Sequence, residues 1–320
     1  MELLKTYYKD KPALAFETEL CRVMLLPALG GKVCSLVHKP SGYEWLAQRE
    51  GEKYRVIPYG GPYIEGEVSG FDDMFPTIDA CHYEADPWRG AYLPDHGEVW
   101  ALPWDCEAED DALRLAVQGI RLPYRLEKRL SFTGPETLHI AYKAENPTPF
   151  DMDFLWAGHM IFNGEKGSRV TVPEGADVAT CVYSKWGDIG GYGDKFEYPR
   201  GTSEDGCAYD LSAFGAREDN NLRKLYFTDP LREGFCEFSV PSRHIALRVS
   251  FSTETLPYMA LLYNEGGSHD VWGVDDYNFY IEPCTAPFDR PDAAKLFGKG
   301  SVLPANGCYT WSVEISLKDL

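Results

Sequence analysis

The chain has 320 residues, 44% of them hydrophobic, and a formal net charge of -19. A chain of this size buries roughly 75% of its unfolded surface, so its core needs no help from disulfides or metals. The acidic field repels phosphate backbones and anionic membranes, which argues against nucleic acid and membrane as partners; no Lys/Arg cluster overrides it in favour of a phosphorylated substrate.

The 9 cysteines are odd in number, scattered and without a C-x-x-C pair. They read as reduced thiols of a cytoplasmic protein, not as a disulfide framework or a zinc ribbon. The opening MELLKTYYKDKP has no apolar run of the signal-peptide kind, and no apolar stretch is long enough to span a bilayer.

Along the chain the dominant signal is alternation. Cys21–Leu26 and Lys32–Val37 are short apolar runs separated by Pro27 to Gly31, the pattern of a hairpin. Leu113, Leu115 and Val117 alternate, as do Leu138, Ile140, Tyr142 and Ala144. The segment Trp186–Gly206, rich in Gly and charge, reads as a long loop of the kind that often carries function. Ile245, Leu247, Val249 and Phe251 resume the alternation. Pro291–Leu296 is the one short helix, with Pro in its first turn and Gly298 as its stop. Asn306-Gly307 is a turn, and Tyr309, Trp311, Val313, Ile315 and Leu317 close the chain on one face of a strand. No 3.6-residue stripe of any length competes. The reading is a single all-β domain over 1–320, a large antiparallel sandwich.

Several residues carry chemical potential. His96 lies in LPDHGEVW, at what reads as a turn entering a strand, so that His96 and Glu98 at i,i+2 share a side. Asp72 and Asp73 in GFDDMFPTID, with Asp95, add carboxylates nearby. Their spacing fits no specific metal motif, and no metal is expected. His159 sits in the apolar strand FLWAGHMIF, on the face of Leu155 and Ala157. A His there is a hydrogen-bonded core residue or a perturbed functional group. Glu282 ends an apolar run in NFYIEPCTAP, where an ionised carboxylate is costly unless it is paired. Trp100, Trp104, Trp156, Trp186 and Trp272 offer stacking surfaces for sugar rings; Trp100 and Trp156 are expected in the core, and Trp186, in the long loop, is the candidate binder. There is no G-x-S-x-G elbow; Gly298-Lys299-Gly300 lacks the Ser/Thr of a P-loop; Gly190–Gly193 lacks a surrounding strand–helix unit.

Taken in order, GGKVCSLVHKPSGYEWL, GFDDMFPTID, LPDHGEVW, NPTPFDMDFLWAGHMIF, IEPCTAPFDRPDA and LPANGCYTWSVEISL resemble the aldose 1-epimerase (galactose mutarotase-like) family from about Ala28 to Leu317. The resemblance implies a β supersandwich that interconverts the α and β anomers of a free sugar without a cofactor. It implies that His96 binds substrate, His159 is the general acid and Glu282 the base. With reference pKa values of about 6.5 and 4.3, His and Glu are ordered for those roles. The family's sugar-contacting Arg has no counterpart: Asp72 and Asp73 stand in the matching stretch, and with Glu98 they are read as substrate-binding. The identity of the sugar stays open, and the expected assembly is a monomer or homodimer. Two other readings remain: a non-catalytic carbohydrate-binding or regulatory protein on the same fold, and a metal-assisted sugar lyase or isomerase using His96, Glu98 and the nearby acids.

Overall fold

A computed structural model of the chain describes residues 3–320. Two antiparallel sheets dominate. The larger has twelve strands. Its middle runs Cys21–Leu26, Lys32–His38, Phe71–Met74, Ala157–Asn163, Tyr277–Cys284, Tyr258–Glu265, Asn221–Phe227. The smaller has eight strands, with Cys308–Asp319 beside Thr137–Glu145 at its centre, flanked by Ile245–Phe251 on one side and by Arg125–Gly134 and Ala112–Gln118 on the other.

The alternating segments supply the smaller sheet. Leu138, Ile140 and Tyr142 lie beside Ile315, Val313 and Trp311 on the adjacent strand and, with Ala144, share the face turned into the main core, while the polar residues between them turn outward. The middle strands of the larger sheet do not alternate in this way, because both of their faces are covered. Met160, Phe162, Phe279 and Ile281 point into the core between the sheets. Ala157, Ile161, Tyr280 and Cys284 point into a second apolar cluster on the outer face, under the loops. Continuous apolar runs such as FLWAGHMIF follow from that double burial.

The hairpin at Pro27–Gly31 and the helix Pro291–Leu296 fall where the sequence places them. The segment Trp186–Gly206 differs. It contains two short strands, Lys195–Glu197 on the edge of the large sheet and Arg200–Thr202 paired with Ala208–Asp210. Three-residue strands are too short to show a period, and here Phe196 and Tyr198 tie the segment to the core. Among the described residues, no helix is long and apolar enough to cross a membrane.

Candidate functional site

The register of the large sheet builds the site. Ala157 lies opposite Cys284 and Met160 opposite Ile281, which sets His159 across from Glu282 on adjacent strands. On its other side His159 pairs with Asp72, and Glu282 pairs with Ala260. Residues directly opposite on one sheet face have Cβ atoms about 4.5–5.5 Å apart. Two groups 123 positions apart in sequence thus become neighbours by strand pairing alone. His159 Nε2 lies 3.8 Å from Glu282 Oε1, and the side chains are 8% and 2% exposed. Glu282 Oε2 is buried with no hydrogen-bond partner in the protein.

His96 arrives from the loop above. The turn that presents it is left-handed at both His96 (φ 59°) and Gly97 (φ 76°). A Cβ on Gly97 would stand 2.3 Å from the Phe75 carbonyl oxygen, so only glycine fits there. Backbone bonds from His96 to Ile78 and from Glu98 to Phe75 clamp the loop to the end of the Phe71–Met74 strand. A left-handed non-glycine residue costs on the order of 1–3 kcal/mol, and such strain concentrates at functional sites. Asp95 Oδ1 lies 2.8 Å from His96 Nδ1, and its Oδ2 accepts from the Tyr63 backbone N–H at 2.8 Å. The Tyr63 ring stacks on His96 at 4.2 Å and meets His159 edge-on at 5.3 Å; the two imidazoles are 5.5 Å apart.

The electrostatics are asymmetric. Burial pushes the Glu282 carboxyl above its ordinary value, with Lys224 opposing. Burial holds the His159 imidazole well below its ordinary value, reinforced by the neighbouring His96 and by Lys224 and Lys32. Both shifts run in the same sense, each favouring the neutral form of its group. A second polar group stands nearby: Asp289 accepts from Lys224 Nζ at 2.8 Å and from the Tyr226 hydroxyl at 2.7 Å. Burial raises Asp289, but Lys224 and Tyr226 outweigh it and keep the carboxylate below its usual range. Asp79, bonded through its backbone N–H to the Asp289 carbonyl, is raised by burial and by the Asp289 charge.

The other candidates from the sequence separate. Asp72 is on the site face but buried under it, paired with Lys32 at 2.9 Å. Asp73 points the opposite way, into the core between the sheets, bonded to Lys128 at 2.7 Å and Trp156 Nε1 at 3.0 Å. Glu98 does not share a strand face with His96. Residues 99–101 form a 3-10 turn, and Glu98 is fully buried, accepting from the Tyr59 and Tyr124 hydroxyls and the Ile120 and Arg121 amides. Asp73 and Glu98 are both fully buried away from His159 and Glu282 with a protein donor on each oxygen, and the reading of them as substrate-binding is corrected to a structural one. Trp186 is 61% exposed beside Lys185, whose Nζ stands 4.9 Å from its ring, and Trp100 sits only partly buried against Tyr63.

Sequence reading missed Tyr63, Lys32, Lys224 and Asp289, and also Tyr280, whose ring meets His159 edge-on at 5.1 Å. A lysine opening the apolar Lys32–Val37 run was the available signal for Lys32, since a buried ammonium requires a partner. Tyr63 opens a single 3-10 turn, Tyr63–Glu65, too short to show a period, and nothing local marks it.

A family model described as a domain of unknown function, DUF5107, matches residues 5–192. The chain belongs to the DUF5107 family. The matched span holds His96 and His159 but not Glu282. A search of curated proteins found no match. Among solved structures, this DUF5107 chain is similar to a galactose mutarotase-like protein from Lactobacillus casei ATCC 334, at 15% identity and a TM-score of 0.70, with 96% of this chain and 100% of that one covered. It is also similar to the Slr1438 protein from Synechocystis sp. PCC 6803, at 18% identity and a TM-score of 0.68, over 99% of this chain and 100% of that one. A galactose mutarotase-like protein from Clostridium acetobutylicum aligns at 12% identity and a TM-score of 0.64, over 100% and 99%. At these identities the likeness is one of fold: the DUF5107 chain has the galactose mutarotase-like β-sandwich.

Proposed function

We propose that the protein is a sugar 1-epimerase that interconverts the anomers of a free aldose. The observation that carries this reading is the His159–Glu282 pair, 3.8 Å apart, with Glu282 Oε2 buried and unpartnered. Leaving a buried carboxylate oxygen without a donor is costly, and a sugar hydroxyl would satisfy it.

The chemistry follows from the pair. The Glu282 carboxylate takes the proton of the C1 hydroxyl as the C1–O5 bond breaks. The bonding electrons go to O5, which receives the proton of the His159 imidazolium. The open-chain aldehyde turns about C1–C2, and the same steps in reverse close the ring on either face. Because closure needs the roles exchanged, each of the two groups both takes and gives a proton within one turnover. His96, in its fixed left-handed turn, is placed to hold a sugar hydroxyl beside them.

The test is exchange between anomeric proton signals, followed by saturation-transfer NMR over a panel of free aldoses. One sugar should exchange faster with the protein present. Glu282→Gln should remove about 10²–10⁴-fold of that rate while leaving sugar binding within about tenfold. Clear binding with no enhanced exchange for any aldose would sink the enzyme reading and leave a carbohydrate-binding protein.

A further inference from the structure

A buried chain of polar groups runs behind His159, on the side away from Glu282. Lys32 Nζ donates to the Glu67 carbonyl at 2.6 Å and pairs with Asp72 Oδ2 at 2.9 Å; the two side chains are 3% and 1% exposed. The Tyr63 hydroxyl lies 2.9 Å from the same Asp72 oxygen and 3.3 Å from His159 Nδ1. Tyr63 is itself buried, with its backbone pinned by Asp95 and its ring stacked on His96.

The tyrosine hydroxyl has one proton to give and two neighbours that could take it. Asp72 is the nearer and is beside a lysine ammonium. Burial alone would lower Lys32, but Asp72 and Tyr54 outweigh it and keep the ammonium charged. Burial raises the Asp72 carboxyl, and the Lys32 charge and the Lys32 and Tyr63 hydrogen bonds oppose it; paired with the ammonium at 2.9 Å, the carboxylate accepts a charge-assisted O–H···O⁻ bond roughly twice as strong as a neutral one, so the Tyr63 proton goes to Asp72. What Tyr63 then offers His159 is a lone pair, and only an N–H can use it.

We infer that Lys32, Asp72 and Tyr63 fix the tautomer of His159, holding a proton on Nδ1 and leaving the Nε2 lone pair directed at Glu282, with Tyr63 as the positioning residue. Nε2 is then the one nitrogen whose proton comes and goes, and Nδ1 keeps its own throughout. Burial and the Asp72 charge hold the Tyr63 hydroxyl far above the ordinary phenol range. It acts by orientation alone. The tautomer is a property of the resting protein; its importance for turnover rests on the epimerase reading above.

The two parts can be tested separately. Long-range proton–nitrogen NMR on the full chain labelled with 15N-histidine reports which ring nitrogen carries the proton. The His159 signals are identified by their loss in His159→Asn. At a pH where His159 is neutral, wild type should show the proton on Nδ1. Tyr63→Phe keeps the ring on His96 and removes only the hydroxyl; it should shift His159 toward the Nε2–H form. With the exchanging aldose, the same variant should lose about ten- to a hundredfold in kcat with KM unchanged, the scale seen when a partner that orients a metal-bound imidazole is removed. A proton on Nε2 in wild type overturns the inference without any variant. An unmoved tautomer in Tyr63→Phe, or a moved one with unchanged kcat, overturns the role given to Tyr63. A proton on Nδ1 in a protein that turns over no aldose supports the tautomer assignment and removes the epimerase reading instead.

Discussion

Asp72 and Asp73 are consecutive residues of one strand, both buried, each paired with a buried lysine, and they belong to different parts of the molecule. Asp73 faces the smaller sheet and meets Lys128 from the Arg125–Gly134 strand, with Trp156 as its second donor. Asp72 faces outward to Lys32 and Tyr63, and through Tyr63 to His159. The first pair has a donor on each oxygen. The second leaves Asp72 Oδ1 without a partner. A pleated strand separates them: period 2 sends neighbouring side chains to opposite faces, one to a core and the other to a site. Equal burial and equal charge do not make equal roles.

The sharpest way to break this contrast is Asp73→Ala. It leaves the Lys128 ammonium and the Trp156 N–H buried without their acceptor. Removing one partner of a buried pair costs about 3–5 kcal/mol. Urea denaturation should show that loss of stability, and a loss below about 1 kcal/mol would mean that Asp73 is not holding the two sheets together.

Apolar replacement of both partners separates stability from function. A buried ion pair exchanged for apolar residues of similar volume is often neutral or gains about 1–4 kcal/mol. Lys128→Met with Asp73→Leu should therefore fold and keep its anomer exchange. Lys32→Met with Asp72→Leu should also fold, but it leaves the Tyr63 hydroxyl free to turn its proton toward His159. Its exchange rate should fall about as far as that of Tyr63→Phe. Equal activity in the two double variants, measured by saturation transfer, would erase the distinction between the faces.

The contrast also explains what the sequence could reveal. The smaller sheet was legible because one of its faces meets solvent, so Ile245 to Phe251 and Tyr309 to Leu317 alternate cleanly. The larger sheet was legible only in pieces, because its middle strands are buried on both faces and a run such as FLWAGHMIF has no period to read. His96, His159 and Glu282 stood out as polar residues in unexpected settings, and the structure brings all three to one place. The direction of Asp72 against Asp73 was not legible. A one-residue change of register would exchange them, and register is set by pairing with distant strands. Glu98 was misplaced for a related reason: its partners Tyr59, Ile120, Arg121 and Tyr124 come from two other segments. Tyr63 was invisible because its role arises from contacts made 9 and 96 positions away.

The smallest expected effect is a pH dependence confined to the site face. His159 is held well below its ordinary value by burial. Unfolded, it gains a proton as the pH falls below about 6.5, while the folded imidazole does not. The unfolded state then binds more protons, so the stability linked to His159 is complete above about pH 6.5 and is lost as the pH drops below it. Glu282 has the opposite sign. Burial raises its carboxyl, so the folded state keeps a proton that the unfolded chain has released above about pH 4.3. Its contribution to stability therefore falls as the pH rises from that value toward the raised one. Urea midpoints at pH 5 and pH 8 resolve the two when read as differences from variants. Relative to His159→Asn, wild type should be weaker at pH 5 than at pH 8. Relative to Glu282→Gln, it should be weaker at pH 8 than at pH 5. The Lys128→Met, Asp73→Leu variant should keep both differences, since neither titrating group lies on its face of the sheet. Losing them there would show that the protonation of His159 and Glu282 is governed from the core between the sheets, and the separation of the two faces would fail.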